Sequence, residues 1–235
     1  MTYSVIARCP RTHQIGLAVA TYSLACGSFT QGAQSPYGIS MSQANVRKGN
    51  SPLANSLLAQ GHSSKSVLAS LVSDDEHEAF RQIAVMTRDG KAAVHTGSKV
   101  AGWCGQISEQ DYAVFGNVLR GPHVLSGMRD GLLSNLTLPL QERLIQSLEG
   151  GRDAGGQGSG GAKMAERSAC VVLFDRRNCA EWDLRVDLHD HAVEELRRIY
   201  TAFKPYQPYY NERDADPSRT LSQLAWERQN LPEGT

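Results

Sequence analysis

The sequence lacks an excess of charge of either sign: lysine and arginine number 24, aspartate and glutamate 24, so the net charge is zero. No basic stripe stands out, which argues against nucleic acid as a partner. Long apolar runs are missing too. Ala169-Cys170-Val171-Val172-Leu173-Phe174 is among the longest, far short of the roughly 20 residues that cross a bilayer as a helix, so no membrane association is expected. The first ten residues hold no charged segment leading into an apolar one, so no signal peptide is expected and the location read from sequence is cytoplasmic. Paired cysteines are also lacking. Cys9, Cys26, Cys104, Cys170 and Cys179 make five, with no C-x-x-C spacing, which speaks against a disulfide framework and against zinc. Cys170, inside an apolar run, reads as a small buried hydrophobe.

What is present fits a folded globular protein. The 235 residues are 40% hydrophobic and 20% charged, outside the range of disordered chains. Alternation and β-branched residues predict strands over 2–9 and 14–23, joined by a turn at Pro10-Arg11-Thr12-His13, and a third strand over 37–44. Ser51-Pro52 reads as a helix start and Gly61 as its end; Ser63 or Ser64 caps a second helix. Strands follow over 80–87 and 92–95 around the turn Arg88-Asp89-Gly90-Lys91, then over 111–117. Gly121-Pro122 opens a helix, and another, carrying Leu140, Leu144, Ile145 and Leu148, is expected to stop at Gly150-Gly151. Gly155 to Gly161 reads as a mobile loop. Strands over 168–175 and 182–187 precede a helix with Val193, Leu196, Tyr200 and Phe203 inward. Helices arrive in blocks between hairpins, which does not suit a parallel α/β sheet. The pattern predicts an α+β fold: a four-layer αββα sandwich of two antiparallel sheets with flanking helices. One domain is expected over 1–204, with a tail over 205–235 packing on it or on a partner. The tail's Pro205-Tyr206-Gln207-Pro208-Tyr209-Tyr210 suggests a homo-oligomer.

Thr2 is the first candidate for chemistry. It is small, so Met1 is expected to be removed. The α-amino group so freed titrates near neutrality, at about 7.7–8.0, and lies beside its own hydroxyl. A nucleophile activated by the terminal amine of the same residue is one solution to acyl transfer.

The ordered set Thr2-Tyr3-Ser4-Val5-Ile6-Ala7-Arg8, Gly16-Leu17-Ala18-Val19-Ala20, Ser42-Gln43-Ala44, Arg81-Gln82, Asp89-Gly90, His95-Thr96-Gly97, Gly116-Asn117-Val118-Leu119 and Asp183-Leu184-Arg185-Val186-Asp187 resembles a bacterial and archaeal family of unknown function. That family is grouped with the N-terminal-nucleophile hydrolases. The resemblance runs from residue 2 to about 200. It implies the αββα fold of those hydrolases, and amide-bond chemistry on a small-molecule substrate with no metal and no cofactor.

Further candidates follow from position. Ser4 lies on the same strand face as Thr2 and could orient the amine. Asn117, after Gly116 at a strand end, offers an amide and backbone N–H groups to a developing oxyanion. Gln43 and Asn45 end the third strand, and Thr21 and Ser23 the second; all four are candidates for substrate contacts. Arg185 and Asp187 share a face of the last strand, where an Asp could hold the terminal ammonium and an Arg clamp a carboxylate, with a salt bridge within the sheet as the alternative. Lys99 could depress the proton affinity of the nucleophile. His189, Asp190 and His191 are spaced wrongly for one helical face, so Asp190 reads as a helix cap and no metal site is expected. Two alternatives stay open: a non-catalytic protein of the same fold that binds a metabolite or a partner, and an enzyme with a cysteine nucleophile.

Overall fold

A computed structural model describes residues 1–28, 31–159, 162–175 and 180–231. The chain divides into two compact units, Met1–Leu196 and Arg197–Thr235.

The first unit is built on two antiparallel sheets. The larger contains β1 (Thr2–Arg8), β2 (Ile15–Thr21), β7 (Trp103–Glu109), β8 (Tyr112–Leu119), β9 (Gln157–Ser159), β10 (Ala162–Met164), β11 (Ser168–Phe174) and β12 (Ala180–Val186). Its order is β10-β9-β8-β1-β2-β11-β12, with β7 also paired to β8. The smaller runs β3 (Gln31–Ser35), β4 (Gly38–Ala44), β5 (Arg81–Thr87) and β6 (Ala92–Thr96) in sequence order. The nucleophile candidate therefore starts a central strand, not an edge.

Side-chain alternation explains how the sheets pack. Ile6, Leu17, Val19, Phe115, Cys170 and Val172 from the larger sheet share one buried cluster with Ile39, Met41, Ala84 and Met86 from the smaller. Neighbours one residue along point the other way. Ile83 and Val85 meet Ala54 and Leu58 of α1 (Asn50–Ala59) and Val67 and Leu71 of α2 (Ser64–Ser73). On the larger sheet, α3 (Pro122–Leu133) and α4 (Leu140–Asp153) supply the cover. Burying each such aliphatic side chain contributes about 1.5–3 kcal/mol.

Several sequence expectations need correction. β3 and β7 were not anticipated. In β7 the pattern is exposed or half-exposed, without a clean apolar alternation. α1 begins at Asn50 with Gly49 at its cap position, not at Ser51. α4 does not stop at Gly150-Gly151 but continues to Asp153. A Cβ on Gly150 would lie 2.2 Å from the Gly127 carbonyl oxygen, so these glycines let two helices cross closely. Within the expected loop over 155–161, Gln157–Ser159 form β9, which pairs with β10 and is attached to β8 through Leu119 opposite Gln157. Gly160 and Gly161 lie outside the described residues. α5 (Ala192–Phe203) makes its first helical bond from Glu195 N–H to the His191 carbonyl, so His191 rather than Asp190 holds the cap position.

The boundary between units falls within α5. In the second unit, the expected tail forms α6 (Gln207–Ala215) and α7 (Gln223–Asn230). Tyr209 packs on Trp226, with ring centroids 5.5 Å apart, and Phe203 stacks on Tyr210 at 5.4 Å. No helix among the described residues is long and apolar enough to cross a membrane.

Candidate functional site

The strand register gathers most of the predicted residues. Thr2 stands opposite Thr21 on β2 and Asn117 on β8, and Thr21 stands opposite Ser168 on β11. Directly opposed residues in antiparallel strands point to the same face. Asn117, Thr2, Thr21 and Ser168 thus form one polar row across four neighbouring strands, each 6% exposed or less. Ser168 was missed from sequence because it opens an apolar run and shows its role only in the register.

Hydrogen bonds order this row. Thr21 Oγ1 donates to the Met1 carbonyl at 2.5 Å, so its one proton is spent. It can then only accept from the Thr2 hydroxyl, 3.0 Å away, and from the Ser23 N–H at 3.3 Å. Ser168 Oγ donates to the Ser23 carbonyl at 2.6 Å and accepts from the Cys26 N–H at 3.1 Å. Ser23 is exposed and enters through its backbone. Burial pushes the Met1 amine below its ordinary value, since a charged amine loses hydration there.

A second set of amides reaches the row from the smaller sheet. Ser4 Oγ donates to Gln43 Oε1 at 2.6 Å, and Gln43 Nε2 donates to Gln82 Oε1 at 2.7 Å. Asn117 Nδ2 donates to the same Gln82 oxygen at 3.1 Å. Gln82 Nε2 donates to the Gly116 carbonyl at 3.0 Å and to Thr96 Oγ1 at 2.9 Å. Ser4 and Gln82 are fully buried, and Gln43 and Asn117 are 1% exposed. Buried amides of this kind are stabilising only when every group is paired, and Gln82 uses its full capacity.

Backbone strain borders the same place. Ala44, after Gln43, has φ 67°, and Val118, after Asn117, has φ 52°; Ala25, before Cys26, also has φ 52°. A left-handed β-branched residue is a true outlier, and such strain clusters at functional sites. At Val118 it accompanies a shift in the β7–β8 register between Trp103 and Gly105.

Other predicted residues lie apart. Asp187 follows β12, which lies beyond β2 and β11 from β1. Three strand spacings of about 4.8 Å put it about 14 Å from Thr2, too far to hold the Thr2 amine. Arg185 forms a paired contact with Asp183 at 2.6 and 2.8 Å, a salt bridge within the sheet whose partner is Asp183 and not Asp187. Asn45 is exposed, and its Nδ2 donates to the Phe80 carbonyl at 3.3 Å. The Lys99 ammonium sits 5.0 Å over the Phe80 ring. Cys9, Cys26 and Cys170 are buried, Cys104 is half-buried, and Cys179 lies outside the described residues. Cys170 bonds to Cys26, and that bond together with burial pushes its thiol far up, against a nucleophilic role. Among the described residues no group of three or more His, Cys, Asp or Glu side chains is placed to hold a metal ion. Cavities of about 520 and 360 Å³ lie elsewhere, one between α2, β6 and β7 and one beside the turns at Tyr37 and Asp89.

A protein from Silicibacter pomeroyi belonging to the family DUF1028, known as a crystal structure, matches with 27% identity and a TM-score of 0.77, over 86% of this chain and 89% of that one. Anbu (ancestral beta-subunit) from Yersinia bercovieri aligns at 12% identity and a TM-score of 0.41, over 86% and 93%. A Gly-1 mutant of Anbu from a Hyphomicrobium strain gives 12% and 0.44, over 86% and 94%. No curated protein matches the sequence. The profile of the family of unknown function DUF1028 covers residues 2–196, and the chain belongs to that family.

Proposed function

We propose that this chain is an N-terminal-nucleophile amidohydrolase on a four-layer αββα fold, cleaving a small-molecule amide or acyl-amine bond through Thr2. The observation that carries the reading is the buried polar row in which Thr2 stands between Asn117 and Thr21 on a central strand.

Removal of Met1 gives Thr2 a free amine. Thr2 is 6% exposed, so desolvation favours the neutral, basic form of that amine. The amine takes the hydroxyl proton as Thr2 Oγ1 bonds to the substrate carbonyl carbon. Charge develops on the carbonyl oxygen, and Asn117 keeps one side-chain N–H unspent to meet it. Collapse of the tetrahedral adduct breaks the C–N bond, and the ammonium returns its proton to the leaving nitrogen. Water then hydrolyses the Thr2 ester, releasing the acid and regenerating the hydroxyl. The β9–β10 hairpin borders this region, because Gln157 Oε1 accepts the N–H of Tyr22, next to Thr21, at 3.2 Å. We assign it a water-excluding role. The homo-oligomer and the cytoplasmic location belong to the same proposal.

Intact-mass measurement of untagged protein made in a bacterial cytoplasm is the test. Loss of one methionine, followed by a mass increase with a β-lactone that is absent in Thr2→Ala, supports the reading. Full retention of Met1, which would keep the Thr21 bond to its carbonyl, overturns it in favour of a binding protein on the same fold.

A further inference from the structure

Gln82 carries none of the proposed chemistry, yet it holds the amides that border it. Its orientation is fixed by one contact. The Gly116 carbonyl can only accept, so the NH₂ end of Gln82 must face it, at 3.0 Å. Gln82 Oε1 then points to Gln43 and Asn117, 2.7 and 3.1 Å away, and both must present their NH₂ groups. Gln43 is left with its oxygen toward Ser4, whose hydroxyl donates at 2.6 Å. Ser4 has then spent its one proton and can meet any further partner only as an acceptor.

We infer that Gln82 is a positioning residue that sets the hydrogen-bond polarity of the Thr2 site, holding the Asn117 amide with its NH₂ end toward Gln82 and leaving Ser4, on the Thr2 face of the strand, only as an acceptor. This rests on the nucleophile reading for its catalytic meaning, while the polarity itself stands on the contacts of Gln82 alone. Gln82 lies on β5 of the smaller sheet, and Asn117 and Ser4 on β8 and β1 of the larger, so the amide links the two sheets at the site.

The test compares Gln82→Met, which keeps volume and removes the acceptor, with Gln82→Glu, which keeps an acceptor oxygen. In ¹⁵N-labelled protein, the side-chain NH₂ protons of Asn117 and Gln43 should exchange slowly with D₂O in the parent and in Gln82→Glu, and quickly in Gln82→Met. Unchanged protection in Gln82→Met overturns the inference. In Met1-processed protein, acylation of Thr2 by a β-lactone should slow by on the order of tenfold to a hundredfold in Gln82→Met and by only a few-fold in Gln82→Glu. This order should hold even though Gln82→Glu, with a buried carboxylate facing the Gly116 carbonyl, is the less stable protein. Rates that instead follow the melting temperatures overturn the positioning role. If the parent itself resists acylation at Thr2, the nucleophile reading fails, and the polarity is still decided by amide protection.

Discussion

Thr2 donates its hydroxyl proton to Thr21, because the Thr21 hydroxyl is already committed to the Met1 carbonyl. Removal of Met1 takes that carbonyl away and frees the Thr21 proton. Thr21 Oγ1 is then able to donate toward Thr2 instead of only accepting from it. Thr21→Val keeps the β-branched shape and deletes this oxygen. We expect a stability loss of about 1–2 kcal/mol, seen by calorimetry as a fall of about 2–8 °C in Tm. Thr21→Ser should recover most of it. An unchanged Tm in Thr21→Val would show that the oxygen does not organise the strand end.

The strands carrying Thr2 and Thr21 were legible, since alternation fixes β1 and β2 and their turn. The row was not, because it depends on which residue of each strand stands opposite Thr2. Ser168 enters only through β11 pairing with Thr21. Asp187 and Arg185 illustrate the converse. They sit on a plausible strand face, but strand order places β2 and β11 between them and β1. Gln82 was visible as part of a motif, yet its role arises from contacts across two sheets that no local pattern encodes.

Gly150 and Gly151 are helix interior, contrary to the usual meaning of paired glycines at the end of an apolar period. The cause lies in α3: a Cβ on Gly150 would sit 2.2 Å from the Gly127 oxygen, and one on Gly127 would sit 2.4 Å from the Gly150 oxygen. Helix propensity favours alanine at such positions, but backbone cannot yield as a side-chain end can. Gly150→Ala should therefore destabilise by about 1–3 kcal/mol, despite the better helix former. A raised Tm would mean that the two helices have room to separate.

Asp75 and Arg81 brace the strained turn after Gln43. Arg81 Nε donates to Asp75 Oδ2 at 2.9 Å, and its Nη1 donates to the Asn45 carbonyl at 2.8 Å. Burial alone would raise the Asp75 carboxyl, but the bonds from Arg81 and from the His77 N–H outweigh it and hold the group below its ordinary value. A carboxyl with a depressed folded pKa stabilises fully above the unfolded value of about 3.9 and loses that contribution as pH falls through the folded value. Asp75→Asn should cost about 2–4 kcal/mol at neutral pH by stranding Arg81. The Tm gap to the parent should narrow as the pH is taken below the carboxylate range. A gap that stays constant with pH would show that the pair's charge contributes nothing.

Gln157 is the pin between the glycine-rich hairpin and the polar row. It is fully buried; its oxygen accepts from the Tyr22 N–H at 3.2 Å and its Nε2 donates to the Ala165 carbonyl at 2.8 Å. Short strands such as β9 and β10 have little ladder of their own, so one buried side chain that joins both ends of the hairpin to β2 should control its opening. Gln157→Leu removes both bonds at similar volume and leaves the Tyr22 N–H unpaired. Amide hydrogen exchange at Tyr22, and over residues 157–159 and 162–164, should speed by roughly tenfold, equivalent to about 1.4 kcal/mol of lost protection, while exchange in the central strands β1 and β2 before Thr21 stays near the parent rate. Speeding spread evenly over all strands would point to global destabilisation and remove the hairpin as a separately anchored element.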